Sequence, residues 1–107
     1  MIYSYKDNTD EVLKGLSDAV ERALTRIGLA AEGYAKKECP VDTGNLRNSI
    51  TNEVRSSEKS VYIGTNVEYA AYVELGTTRT KAKPYLKPAA SGHSAVYKSI
   101  MEEEMGK

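Results

Sequence analysis

Apolar residues recur at Val12, Leu13, Leu16, Ala19, Val20, Ala23, Leu24, Ile27, Ala30, Ala31, Tyr34 and Ala35, the three- and four-residue spacing of one helical face. Asn8 with Glu11 three positions on reads as an N-cap with its capping box, and Pro40 disfavours helical geometry at Cys39. The spacing therefore predicts a long amphipathic helix over residues 9–38, about 43–45 Å in length. A rod of that length outruns the core of a small domain, so part of its apolar stripe is expected to meet a neighbouring subunit. Asp18 with Arg22 and Glu32 with Lys36 are spaced for ion pairs on its solvent side.

The pattern changes at Asp42-Thr43-Gly44-Asn45, where turn formers surround a glycine free to take positive φ. Asp42 or Thr43 is expected to accept a backbone N–H at the start of a short turn through Leu46 and Arg47. Residues 50–55 then alternate, Val61 to Ile63 form a second β-rich run, and the polar Ser56-Ser-Glu-Lys-Ser between them suits a hairpin loop. Two antiparallel strands are the minimum, and the long helix must cover their apolar face. Val67 to Leu75 reads as a short helix carrying Tyr69, Tyr72 and Val73 on one side and ended by Gly76. Thr77 to Lys83 has a single alanine for an apolar group and is expected to be mobile in the free subunit, because it cannot offset the cost of ordering its backbone. Pro84 and Pro88 stiffen the chain after this loop, and Ala89 to Met105 is a weaker helical pattern broken at Ser91-Gly92. The fold class is α+β, one domain over residues 1–107: a long N-terminal helix packed on a small antiparallel sheet, a short helix after the hairpin and a C-terminal helix.

Composition sharpens this picture in two places. The chain holds eight Tyr but no Phe and no Trp, and a tyrosine suits surfaces that are wet in one state and covered in another, although half-buried tyrosines also finish small cores. Basic and acidic residues balance at 15 each, which argues against a dedicated nucleic-acid binder. The balance is uneven along the chain: no acidic residue stands between Glu74 and Glu102, while Arg79, Lys81, Lys83, Lys87 and Lys98 do. That segment can touch DNA phosphates, dock on an acidic partner or stay solvated. No run approaches the roughly 18 apolar residues of a membrane span, the first residues lack a signal-peptide pattern, and Cys39 stands alone. Synthesis in a reducing cytoplasm without a membrane is the expectation.

Catalytic chemistry finds little support. Asp42-Thr43-Gly44 is the triplet of aspartic proteases, whose two-chain forms share a proton between paired carboxylates. In those all-β enzymes the triplet follows an apolar strand, whereas here a helical pattern precedes it and Asn45-Leu46-Arg47 follows, which favours a structural turn. His93 has no Cys or His at ligand spacing and reads as a solvated residue flanking a helix. Lys36 and Lys37 stand near Cys39, but no base or oxyanion site accompanies it, which favours a buried or spectator thiol. No cofactor is implied.

Three blocks, Cys39-Pro-Val-Asp-Thr-Gly-Asn-Leu-Arg-Asn-Ser-Ile50, Ile63-Gly-Thr-Asn-Val-Glu-Tyr-Ala-Ala-Tyr-Val-Glu-Leu-Gly-Thr77 and Lys83-Pro-Tyr-Leu-Lys-Pro-Ala89, resemble the tail-component family of HK-type long-tailed bacteriophages in both order and spacing. Ala71 stands where that family often has proline, and Tyr85 where it usually has Phe; both changes bear on packing. The resemblance implies a structural protein, not an enzyme. It would act in tail completion or head–tail joining at the neck of a phage or prophage particle, as a ring, sixfold in the virion, assembled in the host cytoplasm. Tail-tube or terminator proteins and head-connector proteins are the implied partners, with non-specific contact to DNA in the lumen through Arg79, Lys81 and Lys83. The competing class is a small intracellular binding or regulatory module. Asp42, Thr43, Gly44, Tyr69, Tyr72, Glu74, Gly76, Pro84, Tyr85 and Pro88 are then structural or interface residues. Tyr69 and Tyr72 are expected on the long helix or on an adjacent subunit. Glu74, at the unfavourable end of its helix, needs a compensating partner, with Arg47 the first expectation and Arg79 the second.

Overall fold

A computed structural model describes residues 1–6, 17–40, 44–79 and 81–106. The elements are strand β1 (Ile2–Lys6), helix α1 (Ser17–Glu38), helix α2 (Gly44–Ser49), strand β2 (Thr51–Arg55), a 3₁₀ turn (Ser56–Glu58), strand β3 (Ser60–Gly64), and helices α3 (Ala70–Leu75), α4 (Leu86–Ser91) and α5 (Ser94–Met105). The fold class is the α+β arrangement read from the sequence, with the long helix present over Ser17–Glu38. The expected start of that helix at residues 9–16, and Asp42 and Thr43, lie outside the described residues.

The three strands form one antiparallel sheet in the order β1-β3-β2. Its register sets Tyr3, Ile63 and Asn52 in one row and Tyr5, Val61 and Val54 in the next. These rows face the core, and Ile2, Ser4, Lys6, Thr51, Glu53 and Arg55 are exposed between them, the alternation expected of a sheet covered on one side. Helix α1 packs on β2 and β3, α4 on β1 and β3, and α5 lies along α1. Val20, Ala23, Leu24, Ile27, Ala31 and Ala35 carry the apolar stripe of α1 into the core, joined by Cys39 just beyond its last turn. Gly28 lets the helix approach the sheet closely, since a Cβ there would collide with the side-chain oxygen of Asn52. Asn52 Nδ2 donates to Glu32 Oε1 at 3.0 Å, and Lys36 forms its expected pair with the other oxygen of Glu32 at 3.2 Å.

Several expectations are corrected. The described chain starts with a strand ahead of the long helix: β1, whose Tyr3 and Tyr5 pack against the core, adds a third strand to the expected minimum of two. Helix α3 starts at Ala70 instead of Val67, because the Val67 N–H bonds Thr65 Oγ1 at 3.2 Å and the chain turns before the helix begins. Helix α4 starts at Leu86, ahead of Pro88, which occupies the first turn where its missing N–H costs nothing. Arg22 turns to Glu104 of α5, at 3.3 Å, instead of Asp18. Arg26 joins it at 2.7 Å, so two cations hold one buried carboxylate. His93 flanks α5 as expected but is stacked on Tyr34, ring centroids 3.7 Å apart, and is half-buried.

Two tyrosines sit at the centre of the core. Tyr97 meets Tyr5 edge to face at 5.0 Å and donates its hydroxyl to the Ala89 carbonyl; Tyr85 donates to the Ala70 carbonyl at 3.4 Å. Burial, first of all, pushes both phenols well above the ordinary tyrosine range. An unfolded tyrosine ionises near pH 10, roughly, so above that value the unfolded state binds fewer protons than the folded one and stability falls as pH rises. The expected slope is at most about 1.4 kcal/mol per pH unit for each tyrosine, and Tyr97→Phe should remove about half of their joint slope. Urea unfolding across the alkaline range checks this; equal slopes in wild type and variant would contradict it.

Candidate functional site

The three sequence blocks fold towards one corner of the molecule. In the first, Ser49 shares a hydrogen bond with Thr65, just past the end of β3, and Arg47 donates to the Cys39 carbonyl at 3.4 Å. The second and third are joined by Glu74. This carboxylate is only 2% exposed. Its Oε1 accepts the N–H groups of Tyr85 at 3.1 Å and Leu86 at 2.8 Å, and its Oε2 accepts that of Lys87 at 3.2 Å.

These are the first donors of α4, which have no carbonyl of their own helix to bond. Pro88, the next residue, has no N–H to satisfy. Glu74 thus caps a helix that begins well beyond it in the chain, and the positive end of that helix dipole compensates its charge. The expected arginine partner is therefore corrected: Arg47 bonds Cys39, and no ion pair among the described residues joins Glu74 to Arg47 or Arg79. The sequence carried a signal for this cap. Pro84-Tyr85-Leu86 offers no Ser, Thr, Asp or Asn to start a helix, so the cap had to come from elsewhere in the chain.

Glu74 and its bonds close the loop between α3 and α4 at its base, where the Lys83 N–H also donates to the Val73 carbonyl at 2.9 Å. Gly76 makes the exit from α3 possible with φ 76° and ψ 176°, a conformation confined almost wholly to glycine. Gly76→Ala should cost about 1–3 kcal/mol; an unchanged thermal midpoint would contradict the assignment. Above this base Arg79, Lys81 and Lys83 are exposed, and none of them enters an ion pair among the described residues. Pro84 is exposed beside them, whereas Tyr85 is fully buried under α3, with Cys39, Glu74, Tyr69 and Tyr3 around it.

The outer side of α3 is apolar and open. Tyr69, Tyr72 and Leu75, at helical spacing, are 37%, 64% and 65% exposed. Tyr72 accordingly does not pack on the long helix within this chain. The corner thus presents an apolar stripe beside a basic loop, both fixed to the core through one buried carboxylate.

No group of three or more His, Cys, Asp or Glu among the described residues is placed to hold a metal ion. No described helix is long and apolar enough to cross a membrane. Neither the curated proteins nor the solved structures include a match to this chain. Residues 5–76 match the family described as "Bacteriophage HK97-gp10, putative tail-component". That span covers more than half of the chain, holds the first two motif blocks almost entire, and ends just after the carboxylate that ties them to the third. The chain belongs to the HK97-gp10-like family of bacteriophage tail components.

Proposed function

We propose that this protein is a non-enzymatic structural component of the phage neck, acting in tail completion or head–tail joining as a closed sixfold ring. The observation that carries the reading is the use made of the family's motif residues. Glu74 is spent on holding α3, α4 and the loop between them as one corner, with Tyr69, Tyr72 and the loop cations turned outward. An apolar, tyrosine-bearing stripe beside a charged loop has the composition of a protein–protein interface. Cyclic closure suits it because head-to-tail contacts that do not close give open filaments. Its partners in this reading are copies of itself, the tail-tube or terminator protein and the head connector, met in the host cytoplasm and retained in the virion.

Removing the gene from a producing phage should yield filled heads and separate tails, with joining restored by the purified protein. Normal infectious particles without it would overturn the reading.

Arg79, Lys81 and Lys83 meet an acidic protein surface or DNA in this arrangement. Contact with DNA through three cations predicts weak, sequence-independent binding that weakens steeply with salt. Replacing all three with alanine should impair tail joining or DNA retention; particles normal in both respects would leave the loop a solvated connection.

A further inference from the structure

Two surfaces of opposite character lie at opposite ends of the molecule. Tyr85 donates to the Ala70 carbonyl of α3 and lies close enough to Cys39, just past α1, for the thiol to reinforce burial in raising its pKa, which places the α3 corner at the C-terminal end of α1. Asp18 to Arg26 form the other end, about 18–30 Å away along the helix. There α1 and α5 flank an open groove of about 590 Å³ lined by Asp18, Glu21, Arg22, Thr25, Arg26 and Glu104. The end of α5 adds exposed Glu102 and Glu103, so five carboxylates face two guanidinium groups. The α3 corner carries exposed Arg79, Lys81, Lys83 and Lys87, and its only carboxylate between Tyr69 and Lys87 is the buried Glu74. Leu29, 62% exposed on the solvent side of α1 one turn beyond Thr25 and Arg26, gives the acidic end an apolar contact as well.

We infer that the α3 corner of one copy docks on the α1–α5 groove of the next, with Tyr72 and Leu75 covering apolar surface near Leu29 and the basic loop meeting the carboxylates. The inference rests on the ring reading above and names its interface. Opposite charges select this partner and orientation, and like charges exclude corner-to-corner pairing. Because the two surfaces differ and lie at opposite ends, the contact is heterologous: it propagates head to tail, the kind of contact that a ring reading requires.

Cysteine cross-linking tests this. The natural thiol, Cys39, is 2% exposed and shielded from reagent. The double variant Leu75→Cys with Thr25→Cys, treated at millimolar protein with a short bifunctional thiol reagent, should give a ladder of covalent oligomers. Each single variant should stay monomeric, since a head-to-tail contact never brings like positions together. Adding Lys81→Glu and Lys83→Glu to the double variant should cut the ladder by about tenfold or more. A dimer from Leu75→Cys alone shows a two-fold contact and overturns the proposal. Absence of a ladder overturns it too. If the wild type still sediments as an oligomer, the ring stands with other faces; if it is monomeric, the ring reading rests on the particle alone.

Discussion

Glu74→Ala is expected to lower the stability of this protein by about 3 kcal/mol, a drop of roughly 12–20 °C in thermal midpoint for a domain of this size. Three backbone N–H groups at the start of α4 lose their acceptor at once, those of Tyr85 and Leu86 in buried hydrogen bonds. Each unsatisfied buried donor costs about 1–3 kcal/mol, with water recovering part of the loss at the more open Lys87. Glu74→Gln keeps one carbonyl oxygen in place and should lose about half as much. Differential scanning calorimetry separates the two. A loss below about 1 kcal/mol for alanine would show that the cap is dispensable and that the α3–α4 corner is held by other contacts. Both variants bear on assembly, because the same residue keeps the exposed stripe and the basic loop in fixed relation.

Tyr97→Ala should be costlier still, about 3–5 kcal/mol, a large share of the roughly 5–15 kcal/mol that holds a typical domain folded. Its ring is fully buried, touches Tyr5 of β1 and lies 6.2 Å from Tyr34 of α1, while its hydroxyl reaches Ala89 of α4. Removing it opens a cavity where four elements meet. Tyr97→Phe keeps the ring and loses one hydrogen bond, about 1 kcal/mol. Similar losses for Ala and Phe in equilibrium urea unfolding would mean that the hydroxyl, not the packing, matters at this position.

How much of this was legible in the sequence depended on whether the controlling contact was local. The spacing of Val20, Leu24, Ile27 and Ala31 disclosed α1 because helical periodicity is written within a few residues. The hairpin was found for the same reason, its strands lying within a residue of the expected ends. β1 was not, since its alternation spans only Ile2 to Lys6 and its pairing partner, Ser60 to Gly64, is far away in the chain. The start of α4 was missed because its cap comes from Glu74 and not from a neighbour. Glu74 itself was marked by its unfavourable place at the end of α3, but pattern alone suggested a cation, where the fold supplies backbone N–H groups. The motif blocks disclosed the family without the structure; what they do physically, joining α3 to α4, required it.

Cryo-electron microscopy of the intact particle tests the central claim most directly. The account predicts a closed ring of this chain between head connector and tail tube, with α3 corners against the α1–α5 grooves of neighbouring copies. A neck reconstructed without density for this chain would contradict it.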